Sequence, residues 1–157
     1  MVLKQIGSKV GRCKESDTNK EMELLIAKEF YGVENITPPK DRIEEYHGID
    51  LWVGDTPVQI KCNKDSKLVL EDNIYRNNEW LPGCIDTCEA NTLLKVWPDR
   101  EGIIAVKDYS VEILKRVLRA SRKYYENGTI DPILDFTAGP GKWFQNKDAG
   151  GSFFIYS

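Results

Sequence analysis

Residues 47–62, HGIDLWVGDTPVQIKC, constrain the fold more than any other stretch of the chain. Ile49, Leu51 and Val53 alternate with Asp50 and Trp52, and Val58, Ile60 and Cys62 alternate with Gln59 and Lys61. Between the two runs, Gly54, Asp55, Thr56 and Pro57 supply turn chemistry. Period-two alternation on both sides of such a turn specifies a β-hairpin with one apolar and one polar face. The pleat puts Gln59, Lys61 and Asn63 opposite Val58, Ile60 and Cys62, so an acid on the first strand meets an amide and an ammonium on the second.

A hairpin with a polar face is ordinary surface, but this set of groups has a chemical use. A carboxylate, a side-chain amide oxygen and a backbone carbonyl are hard oxygen ligands of the kind that hold Mg²⁺ or Mn²⁺. A lysine two residues after the amide stands beside such an ion, where it orients water or stabilises charge on a phosphate. The spacing resembles the PD-(D/E)XK nuclease superfamily, here as Asp50 followed by Gln59-Ile60-Lys61. Two departures stand out: Ile49 precedes Asp50 in place of proline, and Gln59 replaces the second acid. The loss of that charge makes a third acid more necessary.

The resemblance implies an α/β (α+β) restriction-endonuclease-like αβββαβ core, a central mixed sheet flanked by helices. It also implies a metal-dependent endodeoxyribonuclease using Mg²⁺ or Mn²⁺. Asp50, Gln59 and the carbonyl of Ile60 would ligate the metal, and Lys61 would activate water. In that superfamily a helix before the hairpin often donates a further acid, for which Glu21 and Glu23 are the candidates. Glu21 is preferred for its spacing from Asp50, although both acids equally suit a helix N-terminus.

The flanking sequence fits this order. Ser16 or Asp17 caps a helix running to Tyr31-Gly32, with apolar Met22, Leu25, Ile26 and Phe30. Pro38-Pro39 make residues 33–45 a loop with Lys40, Asp41 and Arg42 exposed. His47, the single histidine, stands at the mouth of the hairpin, where a hydrogen-bonded structural role is commoner than catalysis. Leu68–Glu71, Thr92–Trp97 and Gly102–Val106 read as strands, followed by a helix from Asp108 or Ser110 to about Tyr125. That helix carries Lys115, Arg119 and Arg122 opposite its apolar arc. The stripe reads equally well as a solvated face or, with Asn63, as a phosphate-backbone contact. Residues 73–88 hold an aromatic and polar patch around Trp80, which packs a loop or stacks on a base.

Two other motifs carry less. Cys84-Ile-Asp-Thr-Cys88 lacks the paired spacing of a zinc site, and Cys13 and Cys62 do not complete one, so all four read as structural thiols. Ile133–Lys142 imitates a nucleotide-binding loop but lacks its spacing, and Trp143 occupies the hydroxyl position. It reads as a flexible loop before residues 152–156, a last edge strand or a dimer contact.

A chain of 157 residues with 41% hydrophobic and 30% charged content suits a single nuclease-like domain, with 1–16 as either a frayed terminus, the commoner case, or a mobile basic arm, and 126–157 as an extension. No membrane span or signal peptide is evident, which leads to the expectation of a cytoplasmic protein with reduced thiols. The net charge of −3 does not announce a nucleic-acid binder, but cations can be placed locally. DNA is the expected partner, with RNA second, and a homodimer would serve to cut two strands. The rival readings are a catalytically inactive nucleic-acid-binding protein of nuclease fold and an RNA endonuclease using His47.

Overall fold

The computed structural model describes residues 3–6, 20–62, 65–71, 73–76, 78–98, 104–126, 141–145 and 151–155. In chain order the elements are β1 (Leu3–Ile6), α1 (Lys20–Tyr31), β2 (Ile36–Thr37), α2 (Arg42–Tyr46), β3 (Leu51–Val53), β4 (Thr56–Cys62) and β5 (Leu68–Glu71). There follow β6 (Asn73–Arg76), β7 (Glu79–Pro82), β8 (Thr92–Pro98), β9 (Ile104–Ser110), α3 (Val111–Glu126), β10 (Gly141–Gln145) and β11 (Gly151–Ile155). The chain divides into two compact units, residues 1–66 with 89–110 and residues 67–88 with 111–157.

The first unit is a mixed α/β body around an open six-stranded sheet in the order β1-β9-β8-β4-β3-β2. Its neighbours pair antiparallel except β4 and β8, which run parallel. Central β8 is buried along almost its whole length, the pattern of a strand covered on both faces. On one face Val58, Ile60, Cys62, Leu94, Val96, Ile104 and Val106 form a core with Ile26, Ala27 and Phe30 of α1. Each fully buried large aliphatic here stabilises the fold by about 1.5–3 kcal/mol before entropy is counted.

Helix α1 turns its Glu23-Ile26-Ala27-Phe30 stripe inward, the i, i+3, i+4, i+7 spacing of one helical face. Leu25, assigned above to the apolar side, is instead exposed, because it stands well round the helix from that stripe. The helix ends where Gly32, at φ +66, donates its N–H to the Lys28 carbonyl at 2.8 Å. The capping residues expected at 16 and 17 lie outside the described residues.

The hairpin closes through a two-residue turn with Gly54 at φ +59, a backbone region open to glycine at little cost. The stretch expected as a plain loop before it contains α2, a one-turn helix. Asp41 caps it by accepting the Glu44 N–H at 2.9 Å. Pro38-Pro39 stop helix only at their own positions, so the capping signal at Asp41 prevails three residues on.

The second unit holds a three-stranded antiparallel sheet in the order β10-β11-β5 and the hairpin β6-β7, with Asn78 at φ +61 in its turn. The strand expected at an edge, β11, is the middle of its sheet. Leu68, Leu70, Ile85, Cys88, Val111, Leu114, Val117 and Leu118 are its buried apolar residues. Helix α3 follows β9 without a linker, since the strand continues to Ser110, beyond the Val106 end expected from sequence. Among the described residues no helix is long and apolar enough to cross a membrane.

Candidate metal and phosphate site

Asp50 stands just ahead of β3, at the point where that strand begins to pair with β4. Its N–H donates to the Val58 carbonyl at 2.9 Å, and its Oδ2 accepts the Ile60 N–H at 2.7 Å. The carboxylate thus supplies the acceptor that the ladder lacks one step beyond the Leu51–Val58 pair. Within a strand, the N–H and C=O of one residue leave on the same side. The Ile60 carbonyl therefore emerges on the same side of β4 as the Asp50 carboxylate. A single N–H bond occupies one of about four acceptor positions on a carboxylate.

Gln59 and Lys61 flank Ile60 on β4 and are half-buried, while Val58, Ile60 and Cys62 enter the α1-facing core. Alternation therefore holds as expected, and the amide and the ammonium share the face away from α1. Gln59, like Asp50, has further polar partners. Among the described residues no group of three or more His, Cys, Asp and Glu side chains converges as a metal site. The set at Asp50 is of a different kind, a carboxylate with a main-chain oxygen and an amide. The side chains of Glu21 and Arg122, and Asn63 altogether, lie outside the described residues. Glu23 is only 9% exposed on the inward stripe of α1.

His47 ends α2. Its Nδ1 lies 3.2 Å from Glu89 Oε1, and its carbonyl accepts the Glu89 N–H at 2.8 Å. Two contacts to one residue tie the start of the hairpin to the residue ahead of β8. Glu44 fastens the same corner by accepting from the Trp52 indole N–H at 2.9 Å and the Lys40 N–H at 2.8 Å. The Lys40 ammonium lies 4.7 Å from the centre of the Trp52 ring. Beside this corner, Arg42, Ile43, Tyr46 and His47 line an open hollow of about 400 Å³, with Tyr46 90% exposed.

The basic stripe on α3 is partly engaged. Lys115 donates to the Cys88 carbonyl at 2.7 Å, and Arg116 pairs with Glu112 at 2.7 Å, whereas Arg119 is exposed. Of the cysteines described, Cys62 and Cys88 are buried and Cys84 is exposed, all as free thiols.

The register of Lys61, Lys95 and Lys107 is not visible in the sequence and appears only in the folded sheet. Lys61 pairs with Lys95 across β4 and β8, and Lys95 with Lys107 across β8 and β9. Lys95 is fully buried, and burial lowers the pKa of Lys107. Tyr109, next along the same face of β9, is 1% exposed, and its hydroxyl has no hydrogen-bond partner among the described residues. Burial pushes its pKa up to about 12, so it remains a donor. A lysine at the centre of the otherwise apolar TLLKVWP strand was the one available sequence signal.

Comparison with protein families, curated proteins and solved structures gives no match for this chain.

Proposed function

We propose that this protein is a divalent-metal-dependent endonuclease of the PD-(D/E)XK kind acting on DNA. The observation that carries the reading is the 2.7 Å bond from the Ile60 N–H to Asp50 Oδ2. It sets the acid and the Ile60 carbonyl on one side of β4, with Gln59 and Lys61 on either side of Ile60. The donors fit Mg²⁺ or Mn²⁺, since all are hard oxygens. Asp50, the Ile60 carbonyl and Gln59 would hold the ion with water in its remaining positions; Glu23, on the stripe of α1 that packs the opposite face, does not reach this set, and the Glu21 side chain lies outside the described residues. The bound ion would polarise the phosphate and lower the pKa of its water. Lys61 Nζ orients the attacking water and donates to the non-bridging oxygen on which negative charge builds. In-line attack forms the new P–O bond as the bond to the leaving oxygen breaks.

Gln59 in the acid position is the observation that favours the second reading, a nucleic-acid-binding protein without catalysis. The deciding experiment incubates the protein with plasmid, branched DNA and RNA in Mn²⁺, in Mg²⁺ and in EDTA. DNA cleavage that is faster in Mn²⁺ than in Mg²⁺, absent in EDTA and abolished by Lys61→Ala is the expected outcome. Cleavage by Lys61→Ala at the wild-type rate would rule the mechanism out. Retained binding without cleavage would establish the second reading, and cleavage of RNA alone would move the substrate class.

A further inference from the structure

Helix α2 carries its large apolar side chains on the outside. Ile43 is 67% exposed and Tyr46 90%, the two highest values for large hydrophobic residues among those described. An aromatic ring and a branched aliphatic left side by side in water mark a surface that something covers. At 100° per residue, Arg42, Ile43, Tyr46 and His47 fall within an arc of about 140° on the helix. These four line the open hollow of about 400 Å³, a size in the range of ligand sites, about 300–1,000 Å³.

The acids of this corner are turned to other partners. Asp41 accepts the Glu44 N–H, Glu44 accepts from the Trp52 indole and the Lys40 N–H, and Glu89 lies against His47. Glu44 and Glu45 both fall outside the lining arc. The hollow is thus bounded by an exposed ring, an aliphatic side chain, an imidazole and a guanidinium that is always charged. Lys40, over the Trp52 ring, adds a second cation to the corner. A ring face with fixed positive charge beside it suits a planar ring that carries an anion, which is the make-up of a nucleotide. The bonds that hold Asp41, Glu44, His47 and Glu89 together also leave little ordering of the backbone for a ligand to bring about.

Position links the hollow to the cleavage centre. His47 stands three residues before Asp50, so their Cα atoms are at most about 11 Å apart. The Ile49 N–H donates to the Glu44 carbonyl at 3.0 Å, which folds the intervening segment back onto α2. A base resting on Tyr46 therefore belongs to a nucleotide close to the phosphate at Asp50.

We infer that the hollow at α2 seats an unpaired base of a polynucleotide strand, stacked on the Tyr46 ring, with Arg42 on an adjoining phosphate. A base inside a duplex has no free face to offer, so the substrate class is one with an unpaired nucleotide beside the cut. The inference rests on the proposed function in one respect, that the strand at Asp50 is a polynucleotide.

The test reads fluorescence anisotropy of a short labelled single-stranded oligodeoxynucleotide in EDTA, where cleavage plays no part. Tyr46→Ala should weaken binding about tenfold, within the range that one base–aromatic stack supplies, and leave its salt dependence unchanged. Tyr46→Trp should retain the affinity, whereas Tyr46→Leu, apolar but without a ring face, should lose it. Arg42→Gln should lower the slope of log affinity against log salt by about 0.7, the loss of one phosphate contact on a single strand. An abasic site moved along the strand keeps every phosphate. At one position it should cost the wild type about tenfold and cost Tyr46→Ala nothing. A blunt duplex of the same sequence should bind both proteins alike, and their melting temperatures should agree because the ring is so exposed.

Equal affinity of wild type and Tyr46→Ala for the single strand would overturn the inference, as would full affinity in Tyr46→Leu. An equal loss for strand and duplex would overturn the unpaired-base assignment. Self-association lost in Tyr46→Ala with oligonucleotide binding untouched would give this face to a second copy of the chain and overturn the inference likewise. Absence of cleavage in Mn²⁺ would sink the nuclease reading without altering any of the binding results in EDTA. Cleavage by a protein whose binding ignores Tyr46 would sink the inference alone.

Discussion

Asp50 has two tasks that a substitution series separates. It accepts the Ile60 N–H at 2.7 Å, and in the proposed reaction it carries charge for the ion. Asp50→Asn keeps an acceptor and removes the charge. Mn²⁺ binding should vanish by calorimetry while the unfolding free energy falls by at most about 1.5 kcal/mol. Asp50→Ala removes both, and the orphaned N–H should bring the loss to roughly 1–3 kcal/mol. Equal destabilisation by the two variants would mean that the bond contributes little. His47, by contrast, is tied to Glu89 through side chain and main chain, the structural role its loop position suggested.

Among the elements, the hairpin is where chain geometry and chemistry meet most closely. Gly54 has φ +59, yet a Cβ there would find only Asn35 Nδ2 at 3.7 Å. Space is available, so the penalty for Gly54→Ala is conformational, about 1–2 kcal/mol. Urea denaturation should show this as a lower midpoint with an unchanged m-value. The hairpin, β8, β9 and α3 were legible in the sequence because each holds one period long enough to dominate its neighbours. Helix α2 was not, since five residues carry no period and its signal resides in Asp41 and Glu44 alone. The lysine row was invisible for another reason: register between β4 and β8 depends on pairing across 34 positions, from Lys61 to Lys95, which only folding brings together. Asp50, Gln59 and Lys61 could be read because a short turn fixes their relation locally. Glu23 stood in the sequence as either a metal acid or a helix N-terminal one, and only packing reveals that it lies on the inward stripe.

For the whole molecule, buried titrating groups set an alkaline limit. Burial, and then the negative charge of Asp108, push the pKa of Tyr31 up to about 12, partly offset by a hydrogen bond with Thr92. Tyr109 reaches about 12 through burial alone. A raised folded pKa means that the native state holds its proton more tightly than the unfolded chain. This stabilisation is complete below pH 10.0, the ordinary tyrosine value, and is lost as pH rises through about 12. Lys107 works in the other direction: its lowered pKa makes stability increase as pH approaches 10.5, the ordinary lysine value. Denaturation midpoints should therefore rise gently toward pH 10 and drop beyond it, with a smaller drop in Tyr109→Phe. A flat profile across that range would contradict the burial of both phenols.

The parallel pairing of β4 with β8 has a consequence for how such a molecule can change. Parallel neighbours need a long connection between them, and in the sequence between β4 and β8 residues 67–88 belong to the second unit. Lengthening a connection is inexpensive, about 0.6 kcal/mol for each doubling of a flexible loop. The connection is thus a natural graft point, where whole modules can be exchanged while the strands bearing the hairpin and the lysines stay in register.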